Sequence, residues 1–263
     1  MTTTIGMAPQ DAAERAKFEN EVRRIVAAGN EAGVSLRLLG SLAFRLHCPQ
    51  FGGLQAKLGR AYTDIDFASY GQQAKAICDL LTGKLGYTED REVFINTEGS
   101  RAIFENPGDS LHVDIFYDKL DFCHVIRWDG RLEVDSPTIP LAEMLLEKMQ
   151  IVKINEKDVI DTLMLLLEHP LGAGDAEMIN LPLVSRLCVA EWGLWRTVTM
   201  NLTKVKQLAQ NYPQLSAAEK AKVAAQVDAA LAAINAEPKP LAWKMRDKIG
   251  DRVKWYKDVD EVK

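Results

Sequence analysis

Hydrophobic and polar positions follow two different periods along the chain, and the change comes near residue 140. Before it, short segments alternate with a period of two and are separated by turn residues. After it, longer segments have the spacing of amphipathic helices. Strands followed by a run of helices are typical of an α+β protein. We therefore expect an α/β core over residues 1–140 and a helical domain, a bundle, over residues 141–263.

The first half opens with a helical pattern over residues 11–33, with Asp11 as N-cap and Gly33 as stop signal. A short strand over residues 34–39 then runs into Gly40-Ser41 and a helix from Leu42, followed by a glycine-bearing loop. The remaining predictions there are a helix over 72–85 and strands over 64–68, 93–96, 101–105, 111–117 and 124–127. In the second half, helices are predicted over 141–154, 157–168, 183–210, 217–236 and 241–256.

Two acids stand at alternate positions of one predicted strand, Asp64 and Asp66. Residues i and i+2 of a strand point to the same face, so the two carboxylates lie side by side. At ~4 Å and an effective dielectric of ~20, such charges repel by about 4 kcal/mol unless a cation lies between them. Mg²⁺, or Mn²⁺, is the expected cation, because hard ions prefer oxygen ligands. The pattern also fits two solvated acids at a strand edge.

A third acid, Asp114, lies in the apolar segment Leu-His-Val-Asp-Ile-Phe. A buried carboxylate is costly without a partner. If this strand neighbours the one carrying Asp64 and Asp66, three carboxylates converge and could hold two metal ions for an in-line displacement. The alternative is an acid at a sheet end, bonded to backbone.

Gly40-Ser41 lies between a predicted strand and a predicted helix. Glycine lets the backbone approach a ligand closely, and a helix N-terminus favours negative charge. This unit, then a strand with Asp-x-Asp, then a strand with one further Asp, is a more specific pattern than Gly-Ser alone and suits phosphate binding beside a metal ion.

The segments Leu39-Gly-Ser-Leu-Ala-Phe-Arg45, Tyr62-Thr-Asp-Ile-Asp-Phe67 and His112-Val-Asp-Ile-Phe116 resemble the nucleotidyltransferase core of the DNA polymerase beta superfamily. Leu145-Leu-Glu-Lys-Met-Gln150 and Glu156-Lys-Asp-Val-Ile-Asp161 look like the third and fourth motifs of AbiEii-type nucleotidyltransferases, a family that includes type IV toxins and MenT-like toxins. The resemblance covers residues 36–168.

The resemblance implies a mixed sheet with flanking helices and transfer of a nucleoside monophosphate from an NTP to an acceptor hydroxyl. Asp64, Asp66 and Asp114 would be catalytic and hold the metal, with Asp114 as ligand or base. The other implied residues are Gly40, Ser41 and Arg45 for nucleotide binding, Lys148 for catalysis and the triphosphate, Asp158 for catalysis and Asp161 for nucleotide binding.

Simpler interpretations stand beside several of these roles. Lys148 could be an ordinary surface lysine, Asp158 and Asp161 could form salt bridges on a helix face, and Arg45 could pair with an acid. His112 and His169 are expected to be ordinary residues, because positioning and charge stabilisation dominate nucleotidyl transfer.

Three functions therefore remain open. The first is a toxin-like enzyme that modifies RNA or protein, with a possible cognate antitoxin. The second is a small-molecule nucleotidyltransferase of the aminoglycoside type, which an acidic cleft would favour. The third is a non-catalytic nucleotide-binding module, against which three acids in this pattern argue.

Composition adds limits. With a net charge of −5, any contact with nucleic acid must be made by a local basic surface. The candidate surface consists of Lys244, Arg246, Lys248, Arg252, Lys254 and Lys257. Acidic residues are interleaved with these, which is more typical of a solvated helix face. Helical spacing relates Trp192, Trp195, Trp243 and Trp255. This spacing favours core packing of the bundle, and a platform for a nucleobase is the alternative.

The four cysteines form no CxxC pair, which is typical of free thiols, and His47-Cys48 with Cys123-His124 matches no zinc spacing. The N-terminus has no signal-peptide pattern, and no apolar run approaches the roughly 20 residues of a membrane span. We expect a cytoplasmic protein with no membrane contact.

Overall fold

The computed structural model describes residues 10–259 and shows an α+β protein. Residues 1–9, part of the segment inspected for a signal peptide, lie outside the described residues. The chain divides into two compact units. The first holds the chain up to Lys119 together with Arg127–Ile139, and the second holds Leu120–Ile126 and the chain from Pro140 onward. The boundary predicted at residue 140 places residues 120–126 in the first part of the chain, whereas the structure places them in the second unit.

The first unit is built on a mixed five-stranded sheet with strand order β1-β2-β5-β4-β3. Its strands are β1 (Arg37–Leu39), β2 (Ile65–Ser69), β3 (Thr88–Asp90), β4 (Arg101–Glu105) and β5 (His112–Tyr117). The β2–β5 pair is parallel and the other pairs are antiparallel. The edge beside β1 is extended by residues 137–139, since the Leu38 N–H donates to the Pro137 carbonyl at 2.8 Å and the Leu38 carbonyl accepts from Ile139 N–H at 2.9 Å.

The helices of this unit are α1 (Ala12–Ala32), α2 (Gly40–His47), α3 (Gly53–Lys57), α4 (Ala74–Asp79) and α5 (Arg91–Asn96). A π-helical turn, Leu80–Lys84, follows α4. The ends of α1 follow from local chemistry. The Asp11 carboxylate accepts the Glu14 N–H at 2.7 Å, and Gly33 ends the helix in the left-handed region at φ 69°.

Two predictions in this unit are wrong. Residues 93–96 form part of helix α5 and not a strand, because the Asp90 carboxylate accepts the N–H groups of Glu92 and Val93 and starts a helical turn. The expected loop over 48–61 contains the short helix α3.

The second unit is mainly helical. Its helices are α6 (Leu141–Met149), α7 (Glu156–Glu168), α8 (Leu181–Ala190), α9 (Trp192–Ala209), α10 (Ala217–Ala236) and α11 (Leu241–Ile249). Its core is formed by aliphatic side chains that face one another from these helices, including Leu146, Leu163, Leu166, Val198, Leu202 and Val227. Two further short strands, β8 (Leu171–Gly172) and β9 (Ile179–Asn180), pair in parallel, and the hairpin β6 (Lys119–Asp121) and β7 (Val125–Arg127) precedes α6.

The predicted single helix over 183–210 is interrupted at Glu191, which is extended at φ −130° and ψ 116°. The chain there is fixed by long-range contacts. A Cβ on Gly193 would overlap the Trp255 carbonyl oxygen, and the Glu191 carboxylate bonds His124 Nδ1 at 3.0 Å. The helix predicted over 241–256 ends at Ile249, because Gly250 adopts φ 59°.

Candidate active site

The acids predicted on two strands do meet in the first unit. In the parallel β2–β5 pair, Asp66 lies in register with Asp114, and Ile65 and Val113 are paired one step earlier. Ile65 and Val113 are fully buried, so the opposite face of the two strands carries the acids. Asp64 immediately precedes β2, is exposed, and accepts a hydrogen bond from Thr63 Oγ1 at 2.8 Å. Three carboxylates therefore share one face at one end of the sheet.

Gly40 is fitted to Asp66. β1 pairs antiparallel to β2 with Leu39 opposite Asp66, and the chain turns directly afterwards into α2. Gly40 has φ 69°, and a Cβ at this position would overlap the Asp66 carboxylate. Glycine is therefore required for two reasons, the left-handed backbone and the close approach of the acid.

The start of α2 is held from the loop side. Leu39, the N-cap residue of this helix, makes no side-chain capping bond. Ser41 is buried, and its carbonyl accepts from Gln55 Nε2 at 3.0 Å. Gln55 is itself fully buried on α3 and accepts from the Tyr62 hydroxyl at 3.1 Å. Helix α3, which lies in a segment predicted to be a loop, thus holds the Gly40-Ser41 turn beside the acids.

Arg101 is the residue that sequence reasoning missed. It lies on β4, two positions from the residue that pairs with Asp114, and so shares its face. Its guanidinium binds Asp114 in bidentate fashion, with Nε 3.0 Å from Oδ1 and 2.9 Å from Oδ2, and Nη2 also contacts Oδ2. A signal existed: the Asn106-Pro-Gly-Asp109 turn predicts a hairpin, and counting outward from it places Arg101 diagonally across from Asp114.

Burial and charge act in opposite directions on this pair. Burial raises the pKa of Asp114, the Arg101 guanidinium opposes that rise, and the nearby Asp64 charge adds to it, so that the pKa lies above its usual value. Burial lowers the pKa of Arg101, but the hydrogen bond and charge of Asp114, followed by the charges of Asp66 and Asp64, raise it further than burial lowers it. The three acids and Arg101 therefore form one electrostatic cluster.

The carboxylates suit a hard divalent cation, with one qualification. Among residues 10–259, no group of three acidic, histidine or cysteine side chains is arranged to hold a metal ion. Asp64 and Asp66 present oxygen ligands of the kind Mg²⁺ takes, while Asp114 is engaged by Arg101. The donor set therefore fits a metal bound through Asp64 and Asp66, and Asp114 could join only if Arg101 gave way.

Arg45, expected to contact phosphate or an acid, pairs with an acid in this structure. Its Nε lies 3.5 Å from a Glu19 carboxylate oxygen on α1. Its guanidinium also packs against the Gly52 backbone, where a Cβ would overlap it.

Lys148, Asp158 and Asp161 meet in the second unit. The Lys148 ammonium lies 3.4 Å from Asp161, 3.5 Å from Glu147 and 3.7 Å from Asp158. Asp161 is fully buried on α7, and Asp158 also forms a capping box with Asn155. Both helix-face ion pairs weighed from the sequence are thus present, and Glu147 is an additional member.

The histidines have ordinary partners. His112 is half-exposed with Glu105 at 3.6 Å, and buried His169 contacts the Glu177 carbonyl at 3.4 Å. His47 lies 3.1 Å from Asp135, and His124 bonds Glu191 and Thr197. All four cysteines are free thiols.

The four tryptophans of the second unit form one edge-packed cluster, with ring centroids 4.9 Å apart for Trp195–Trp243 and 6.2 Å apart for Trp192–Trp255. Of the six basic residues near the C-terminus, Lys254 pairs with Asp258, Lys257 pairs with Asp121, and Arg246 covers the Trp192 ring at 4.2 Å. Trp192 is buried and the other three tryptophans are half-buried, so the cluster packs at the margin of the core, while the ion-paired Lys254 and Lys257 are exposed as on a solvated face.

No helix among the described residues has the length and apolarity needed to cross a bilayer. Comparison of the chain with protein-family models, with curated proteins and with solved structures finds no match in any of the three.

Proposed function

We propose that the protein is a divalent-metal-dependent nucleotidyltransferase that moves a nucleoside monophosphate from an NTP to an acceptor hydroxyl on RNA or protein, as in AbiEii-type toxins. The observation that carries the proposal is the register of Asp66 with Asp114 on parallel strands, with the Gly40-Ser41 turn set against Asp66. Arg101 pairs with Asp114, but packing alone gives no reason to place two further acids at the same sheet end, since like charges repel.

In the proposed reaction the acceptor oxygen forms a bond to the α-phosphorus, the bond from that phosphorus to the bridging oxygen of the β-phosphate breaks, and pyrophosphate leaves. A bound Mg²⁺ or Mn²⁺ would neutralise charge on the phosphates and lower the pKa of the attacking hydroxyl. Asp64 and Asp66 would hold the ion, and the hydroxyl proton would pass to a carboxylate of the cluster or to solvent.

The N-terminus of α2 would receive phosphate oxygens, because first-turn N–H groups and the helix dipole favour anions there. Lys148 is paired with Asp158 and Asp161 within the second unit, and a role for it toward the triphosphate is what the resemblance implies. Arg45 would position the loop at Gly52, against which its guanidinium packs. It would not contact phosphate directly, since it is paired with Glu19.

The test incubates the protein with Mg²⁺, each of four α-labelled NTPs in turn, total RNA and cell lysate. Asp66→Asn removes one charge with little change of volume, and Asp79→Asn serves as a matched control because Asp79 is an exposed acid paired with Lys75 on α4. We expect labelled RNA or protein with the wild type and the control, and none with Asp66→Asn.

Full labelling by folded Asp66→Asn would refute the mechanism. Label confined to small molecules would favour the aminoglycoside-type alternative. NTP binding without any transfer would favour the nucleotide-binding module.

A further inference from the structure

Arg101 is the cation of the acidic cluster in the first unit. Three carboxylates, Asp64, Asp66 and Asp114, share the sheet end with this single guanidinium, and its pKa is raised by each of them. The Arg101 side chain is 24% exposed and that of Asp114 is 11% exposed, so the ion pair sits at the boundary of the protein and solvent.

The geometry of the pair sets Arg101 in competition with any other cation that approaches the Asp114 oxygens. Both of its oxygens accept from Arg101, and a bidentate pair is the strongest arrangement that a carboxylate and a guanidinium form. The ring of Phe116, 5.3 Å from the guanidinium carbon, supports Arg101 from the next position on the same face.

We propose that Arg101 is a built-in competitor for divalent metal, which occupies Asp114 and must release it before that carboxylate can join a metal held by Asp64 and Asp66. Arg101 is thus a positioning residue that sets metal affinity. The inference rests on the proposed function, because it takes the acidic cluster as the metal site.

The competition follows from charge. A divalent ion and a guanidinium that bind the same carboxylate repel each other. The repulsion between the two cations is stronger than in water, because the effective dielectric near a protein surface is ~20. Removing the guanidinium removes that repulsion and frees both Asp114 oxygens. Affinity for a divalent ion should then rise, whereas loss of a merely structural residue would lower it or leave it unchanged.

The experiment measures binding of MnCl₂ to the purified full chain by the loss of the free Mn²⁺ signal in electron paramagnetic resonance. We expect Arg101→Met to bind Mn²⁺ at least about tenfold more tightly than the wild type, given the charge removed. Arg101→Lys, which keeps the charge but not the bidentate geometry, should fall between the two. Arg91→Met is the matched control, because Arg91 is an exposed arginine of the same unit, 3.5 Å from Glu89.

Arg101→Met leaves a buried carboxylate unpaired and could unfold the protein, so a second variant is needed. Arg101→Met with Asp114→Asn removes both charges, and it should fold while losing the gain in Mn²⁺ affinity. In thermal melts, Mn²⁺ should raise the Tm of Arg101→Met by more than that of the wild type or of the double variant.

The possible failures are distinct. Equal Mn²⁺ affinity in the wild type and Arg101→Met, or a gain that survives Asp114→Asn, overturns the role of Arg101 and leaves the proposed function standing. Absence of Mn²⁺ binding in every variant overturns the metal site and with it both proposals.

Discussion

Replacing Gly40 by alanine tests the close approach on which the candidate site depends. Gly40 has φ 69°, which costs an L-residue roughly 1–2 kcal/mol. The added Cβ also overlaps the Asp66 carboxylate, and overpacking of this kind costs about 1–3 kcal/mol. We expect Gly40→Ala to lower the free energy of unfolding by about 2–5 kcal/mol in all.

Gly33 supplies a matched control in the same unit. It has the same φ of 69°, yet a Cβ there meets nothing within 4 Å. Gly33→Ala therefore carries the backbone cost alone, and any loss of unfolded-state entropy is common to both variants. The difference between the two variants, about 1–3 kcal/mol, isolates the overlap with Asp66.

A double-mutant cycle identifies the partner. In an Asp66→Ala background, Gly40→Ala should cost no more than Gly33→Ala, because the overlapping carboxylate is gone. Urea melts followed by circular dichroism give the free energies, and amide hydrogen exchange in β2 reports on the unit that contains both glycines. If Gly40→Ala costs no more than Gly33→Ala, or if its excess cost persists without Asp66, the Gly40 backbone does not closely approach the Asp66 carboxylate.

Three further predictions use other parts of the structure. In the native protein, a thiol reagent should label Cys78 first and slowly, because this thiol is half-buried and its pKa is raised by burial and by Glu89. The three buried cysteines should react only in denaturant. Prompt labelling of more than one thiol would contradict the packing. Asn155→Ala removes the capping box of α7 and should lower the free energy of unfolding by about 1 kcal/mol in urea melts, and an unchanged midpoint would argue against the cap. The pKa of Asp114 is raised above 3.8 in the folded state, so its contribution to stability is full below pH 3.8 and is lost as the pH rises through the folded-state pKa. The free energy of unfolding of Asp114→Asn, relative to that of the wild type, should therefore increase from acid pH to neutrality. A decrease would show that the pKa of Asp114 is lowered by folding.

Elements that are controlled by neighbours along the chain could be predicted from the amino-acid sequence. The helix from Asp11 to Gly33 was predicted with both of its caps, because a cap is a contact between residues a few positions apart. The alternation around Ile65 determined that Asp64 and Asp66 share a face, since a strand repeats every two residues. The shift from alternation to helical spacing likewise indicated an α+β protein.

Local patterns misled where a distant contact decided the conformation. The chain breaks at Glu191, within a continuous helical pattern, because His124 and Trp255 fix it from elsewhere in the second unit. For residues 93–96 the deciding contact is local: the Asp90 carboxylate caps a helix there, although the hydrophobic run is equally suited to a strand.

The partners of the candidate-site residues depend on strand pairing, which the sequence pattern does not reveal. Which strand lies beside β2, and in which register, depends on the whole sheet, and the register brings Asp66 opposite Asp114. The same pairing of β4 with β5 brings Arg101 onto Asp114. A sequence shows that a buried carboxylate needs a counter-charge, but the residue that supplies it is selected by contacts across the sheet, because an ion pair forms between side chains close in space and not along the chain.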